Sequence, residues 1–465
     1  MSTKKAADLG HDSIGKLLFQ LALPAITAQI VNVLYNMVDR MYIGHIPEVG
    51  SLALTGMGVC FPLITVISAF AALTGMGGAP RAAIMMGRGD HEEAERILGN
   101  CACGTLLSGL VLTVVFLLFS DPMLMLFGAS ANTFPYASAY MRIYACGTLF
   151  VQVALGLNPF ISTQGFATTS MMSTLIGAIT NIILDPILIF GLGLGVQGAA
   201  LATIISQALS ALWVLRFLSG PRTQLKLRRE NLHIRWKTYL PCMALGMSPF
   251  VMQSTEGLIS ICFNSSLLKY GGDIAVGSMT ILSSVMQFSM LPLQGLSQGA
   301  QPIVSFNYGA GNADRVKKAF FFLLKACLAY STLLWAISVF RPQIFTAIFT
   351  SDPELTAFTV WSLRIYMAMC LIFGAQIACQ QTFVALGNAK TSLFLAVLRK
   401  IILLIPLIFI LPHFFADKVM AVFLAEPVAD TLAVCTTSIM FAVQFRQILK
   451  NMRKPVAETD TSGTN

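Results

Sequence analysis

The sequence predicts an all-α integral membrane protein in which twelve transmembrane helices form two parallel six-helix bundles. Three observations carry that expectation: a charge-poor composition, recurring apolar stretches of span length, and an internal repeat of fixed offset. Of the 465 residues, 56% are hydrophobic and 11% charged, and mean hydropathy is +0.74. Soluble domains carry about 25% charged residues.

A helix needs about 20 apolar residues to cross the hydrocarbon core. Twelve stretches qualify: 15–38, 52–79, 94–119, 134–156, 165–190, 195–218, 237–268, 275–304, 314–340, 356–384, 392–412 and 418–447. The first six belong to an N-terminal bundle, 1–221, and the last six to a C-terminal bundle, 237–450. Between them 222–236 makes a basic connector, and 451–465 a polar tail. MSTKKAADLGHDSIGK shows no cleavable signal pattern, so the first span is expected to persist. With the N-terminus inside and the spans alternating, 24 of the 30 Lys and Arg fall in inside segments; Lys4, Lys5, Arg399, Lys400 and Lys454 are among them. This excess places both termini in the cytoplasm. It also assigns the net charge of +9 to topology and membrane lipid rather than to nucleic acid.

The repeat follows from arithmetic. Pro80 and Pro302, Gly87 and Gly309, Arg142 and Arg364, Gly165 and Gly387 are each 222 apart, and MGRGDHEEAER aligns with NYGAGNADRVK. Near residue 24 the offset becomes 225, pairing LALPAI with LGMSPF. Six spans per half is an even number, so both halves enter the membrane the same way, related by an axis along the membrane normal. Paired bundles of this kind describe a secondary transporter. No G-x-x-x-x-G-K-[ST] loop is present, so the energy is expected from an ion gradient.

Polar residues inside the spans mark the candidate site. Gln29, Asn32, Asn36 and Asp39 recur at steps of 3, 4 and 3, which places them on one helical face, with Tyr35 one turn before Asp39. The fifth span adds Asn181 and Asp185, and the sixth Thr203. Two carboxylates sharing a low-dielectric pocket cannot both ionise cheaply, so the pair can take up a proton or Na⁺. Pro24 and Pro186, in the same helices, offer hinges. The second half does not repeat this pattern: Asn264 stands opposite Asp39 and Leu407 opposite Asp185. Its own acids are Glu256, in register with Gln253, and Glu426 with Asp430 around Pro427. With Gln287, Gln294, Gln376 and Gln380 these are candidates for lining a substrate cavity, together with Gln29 and Asn32. The ten cysteines contain no C-x-x-C and read as small buried hydrophobes, and the five histidines fall in loops or at span ends. No cofactor or histidine metal site is expected in the membrane, nor an integral membrane enzyme.

Two six-span halves, Pro24, GMGGAPRAAIMMGRGDHEEAERILGN, NPFISTQG, and NIILDPILI followed by GVQGAALATIISQ resemble the multidrug and toxic compound extrusion (MATE) family over nearly the whole chain. The likeness is strongest to its bacterial, MepA-type branch. It implies a monomeric exporter of cationic amphipathic drugs in a bacterial plasma membrane, exchanging them for H⁺ or Na⁺ by alternating access. It places the family's N-terminal cation site on Asp39, Asn181, Asp185 and Thr203, with Tyr35 beside it. Glu256 matches an acid that some Na⁺-coupled members use, whereas their further acid in span ten has no counterpart within 365–384. The alternative is a lipid-linked oligosaccharide flippase of the same wider superfamily. Such a protein needs a basic cavity for pyrophosphate, and Asp39, Asp185, Glu256 and Glu426 argue against one.

Overall fold

A chain this apolar must satisfy its backbone hydrogen bonds internally, and the helix does so segment by segment. The computed structural model describes residues 6–350 and 352–453; Lys4, Lys5, Lys454 and the tail from 454 lie outside that range. Among the described residues there is no strand. The first half runs α1 (Ile14–Gly44), α2 (Gly50–Gly87), α3 (His91–Leu126), α4 (Phe134–Thr163), α5 (Ala167–Gly191) and α6 (Gly195–Leu218).

The second half begins with one helical run of 74 residues, Trp236–Gly309. At 1.5 Å per residue it would be about 110 Å long if straight, more than twice a membrane's thickness. Gly272 divides it, with φ 65° and ψ −160°. The two spans are α7 (236–271) and α8 (273–309), followed by α9 (Ala313–Phe340). A short helix, Gln343–Phe349, precedes α10, which is bent by 50° between Pro353–Tyr366 and Cys370–Ala385. α11 (Ala389–His413) and α12 (Lys418–Met452) complete twelve spans. The chain is thus a multi-pass membrane protein with the expected architecture.

The repeat is visible atom by atom. Gly89 and Gly311 take positive φ, 80° and 72°, to end α2 and α8. The next residues, Asp90 and Asn312, then cap α3 and α9 by accepting the backbone N–H of Glu93 at 3.0 Å and of Arg315 at 3.3 Å. Where α2 and α8 end, the halves touch backbone to backbone: a Cβ at Gly87 would collide with the Phe306 carbonyl, and one at Gly309 with the Ile84 carbonyl. Those two contacts are each other's image under the 222 offset. Gly77 meets Gly246 of α7 in the same manner, and Gly299 of α8 meets Ala22 of α1. All lie toward the end that carries the basic loops. The N-terminal segment adds a clasp there, with the Leu9 carbonyl accepting Asn307 Nδ2 at 2.9 Å and Arg315 Nη2 at 3.0 Å. Toward the other end, past the edge-to-face pair Phe70–Phe250, a Cβ at Gly257 would meet only Pro62 Cβ, at 4.0 Å.

The stretch between the halves folds back on the first one. Gln164 Oε1 accepts the backbone N–H groups of Gln224 and Leu225 at 2.7 and 3.0 Å. Glu95 accepts Lys226 N at 3.1 Å and pairs with Arg228 Nε at 2.7 Å.

Arg399 and Lys400, counted above among inside basic residues, are corrected by the structure. Both sit within α11, each 6% exposed, on a π-helical segment, Leu398–Leu404. The two bases are membrane-interior groups, held there by carboxylates.

Candidate functional site

Asp39 near the end of α1 and Asp185 in α5 are buried, 3% and 0% exposed, and their carboxyl groups face each other. No salt bridge reaches either one among the described residues; Arg40, next to Asp39, lies over the Phe61 ring at 5.3 Å. Asn181, one turn before Asp185, points its Nδ2 at Asp185 Oδ1 (3.3 Å) and at Thr203 Oγ1 of α6 (3.5 Å). Thr203 donates to the Ala199 carbonyl at 3.0 Å, which fixes its hydroxyl along α6. Tyr35 and Tyr140 close the group from α1 and α4. Asp39 Oδ1, Asn181 Oδ1 and Asp185 Oδ2 are buried without a hydrogen-bond partner. Buried polar atoms are nearly always paired, so three such oxygens in one cluster, two of them on facing carboxyl groups, suit a proton or a cation as their partner.

The helix geometry explains how Asp185 comes to lie there. Pro186 has no N–H to donate, so α-helical pairing lapses after the acid. The chain continues as a π-helical turn, Ile187–Gly191, in which Leu192 N reaches the Ile187 carbonyl at 2.9 Å. Such turns recur at functional sites. Pro24, by contrast, lies inside an unbroken α1.

Tyr35 and Thr203 also line a cavity of about 200 Å³ walled mainly by the first half and closed by α8. Gln29 and Asn32 of α1, Asn158 of α4 and Gln298 of α8 give it polar walls. Asn36 shares the α1 face but is exposed, and its amide donates back to the Asn32 carbonyl at 2.7 Å.

The second half holds its acids differently. Arg399 Nε binds Asp430 Oδ1 at 2.7 Å, Nη2 binds Glu426 Oε1 at 3.1 Å, and the guanidinium covers the Phe373 ring at 4.6 Å. Lys400 Nζ binds Glu256 Oε1 at 2.6 Å; the Glu256 side chain is 60% exposed, whereas that of Lys400 is 8% exposed. Three acids thus meet two bases. Gln376 and Gln380 are buried and bond to each other at 3.2 Å, and Gln380 also reaches Met252 Sδ at 3.4 Å. Gln287 and Gln294 are exposed on α8, and Gln253 is half-buried on α7. These three stand apart from the cavity of the first half. The partners missed from the sequence are Arg399 and Lys400; their position inside an apolar span was the available signal.

Comparison with known proteins gives the family and the fold. Over 425 residues the chain is 26% identical to the multidrug export protein MepA of Staphylococcus haemolyticus, covering 91% of this chain and 93% of that one. The MepA of Staphylococcus aureus matches at 26% over 410 residues, 86% and 88% of the two chains. An outward-facing multidrug resistance MATE family transporter of the MOP superfamily superposes with a TM-score of 0.87 at 22% identity, covering 98% of this chain and all of the other. A MATE structure in the bent conformation gives 0.89 at 21%, with 97% and 100% covered. At these identities the structural likeness is one of fold. The MatE family profile matches residues 24–187 and 249–410, one copy in each half, and the chain therefore belongs to the MatE family.

Proposed function

We propose that this protein exports amphipathic organic cations from a bacterial cytoplasm in exchange for H⁺ or Na⁺, by alternating access between its halves. The observation that carries this reading is the Asp39–Asp185 pair, buried beside a polar cavity with no base in a salt bridge to it. Taking a charge out of water costs several kcal/mol unless it is compensated. A proton or a sodium ion supplies that compensation reversibly. The donor set of carboxylate, amide and hydroxyl oxygens suits either, since Na⁺ is a hard cation. The MepA relatives are named as multidrug exporters, which supports a drug-like cargo.

Protonating or metallating the pair changes the charge on α1 and α5 together, which is how the ion can bias a two-state rearrangement. The backbone contacts at the basic end support a state closed toward the cytoplasm, given the orientation that lysine and arginine imply. One proton descending 100 mV supplies about 2.3 kcal/mol, comparable to the few kcal/mol that separate such states. The flippase reading needs free bases for a pyrophosphate. Among the described residues the buried bases are Arg399 and Lys400, and both are already engaged by carboxylates.

The test is transport by purified protein in liposomes carrying an imposed pH or Na⁺ gradient, with a fluorescent organic cation as cargo. Gradient-driven cation movement that Asp185→Asn abolishes is the expected result. No cation movement under either gradient, with translocation of a lipid-linked sugar instead, would replace this reading by the flippase.

A further inference from the structure

A second cavity, of about 210 Å³, lies at the basic end where the two halves meet. Arg81 and Arg88 of α2 line it, together with Tyr308 of α8 and Leu386 and Gly387 of the turn between α10 and α11. The two arginines are seven residues apart, two helical turns, and so present their guanidinium groups along one face. Among the described residues neither makes a salt bridge with a carboxylate, although eight pairs of Arg or Lys with a carboxylate occur elsewhere among them. The acids that follow Arg88 are taken up elsewhere: Asp90 caps α3, Glu92 and Glu93 pair with Arg96, and Glu93 also accepts the Thr238 hydroxyl at 3.4 Å. The Cys242 thiol of α7 is the polar side chain within reach of the Arg81 guanidinium. Arg81 Nε is buried with no hydrogen-bond partner.

The repeat removes a packing explanation. At the 222 offset Arg81 and Arg88 correspond to Ile303 and Ala310, so the scaffold closes on its other side without either charge. The space also exceeds what one bridging water needs.

We infer that Arg81 and Arg88 form a binding site for a phosphate group at the junction of the halves, filled by an anionic lipid headgroup or by free phosphate. Two forked guanidinium groups match phosphate oxygens in charge and geometry, and basic pockets between helices at the cytoplasmic face hold lipid head groups by the same chemistry. The site spans α2 and the second half, and Ile84, whose carbonyl meets Gly309, is part of its wall. An occupant therefore stabilises the arrangement in which the basic ends are joined. This inference stands independently of the cargo and of the coupling ion.

The experiment uses full-length protein in phosphatidylcholine nanodiscs, with thermal unfolding followed by intrinsic fluorescence. Phosphatidylglycerol is titrated into the lipid, or inorganic phosphate into the buffer against chloride of equal ionic strength. A saturable rise in Tm is expected with at least one of them. Arg81→Gln and Arg88→Gln should each raise the half-saturating dose about tenfold or more, whereas Arg229→Gln, which removes an exposed charge from the basic loop, should leave it unchanged. A response to phosphatidylglycerol alone assigns the site to a lipid headgroup, and a response to phosphate alone assigns it to the free ion. No saturable response in the wild type, or equal loss in all three variants, overturns the inference. Arg88→Gln alters an exposed side chain and carries the test should Arg81→Gln not fold.

Discussion

Where the first half buries Asp39 and Asp185 without a salt-bridged base, the second half buries Glu426 and Asp430 against Arg399 and sets Glu256 on Lys400. The 222 offset makes the exchange concrete. Arg399 and Lys400 stand at the positions of Gly177 and Ala178, two residues that line the cavity of the first half. One copy has small residues and open space there; the other has two long cationic side chains and their counter-ions. Duplication has preserved the caps, the turn glycines and the helix contacts, while the charges inside each bundle have diverged. The shared scaffold and the unshared charge are separable, and each can be perturbed alone.

The largest effect is expected from Asp185→Asn, which should abolish gradient-driven efflux while the protein remains folded in the membrane. Efflux at the wild-type rate would show that the unneutralised pair is not what distinguishes the first half. In the second half, Arg399→Leu leaves Glu426 and Asp430 buried without their base. Breaking a buried pair from one side costs about 3–5 kcal/mol, so a marked fall in thermal stability is expected. Replacing Arg399, Glu426 and Asp430 together by apolar residues of similar size should recover most of it. A triple variant as unstable as the single one would mean that the cluster does more than neutralise itself.

Smaller effects test the symmetry itself. Gly87→Ala and Gly309→Ala each push a methyl into a facing carbonyl, an overpacking worth about 1–3 kcal/mol. The two should lower stability by similar amounts, and a clear inequality would break the equivalence of the contacts. The mildest change is Glu256→Gln, which keeps an oxygen for Lys400 and lies at a half-open position. It should weaken equilibrium binding of a fluorescent cation a few-fold and leave coupled ion flux intact. Loss of flux in that variant would move coupling into the second half.

The twelve spans and the repeat were legible because both depend on periodic apolar length and fixed spacing, which the bilayer enforces. The cluster of Asp39, Asn181, Asp185 and Thr203 was legible because polar residues in a span must face protein, and helical spacing tells which share a face. Arg399 and Lys400 were misplaced because a base within reach of a span's end can extend to water, and charge counting treats it as a loop residue. Only the π-helical path of Leu398–Leu404 and the acids of α7 and α12 show that they point inward. The bend in α10 and the joining of α7 to α8 through one residue were likewise hidden, since hydropathy reports length but not direction.

That single-residue joint has a mechanical meaning. Gly272 has a positive φ and nothing within 4 Å of where its Cβ would be, while the adjacent Gly271 is pressed against Ala275 and Val419. The corresponding turn of the first half, between Gly44 and Gly50, has five residues to work with. At this end α7 and α8 have no slack between them. The end of one cannot move away without carrying the head of the other with it, since a single glycine ties them, and the first half has no such one-residue joint.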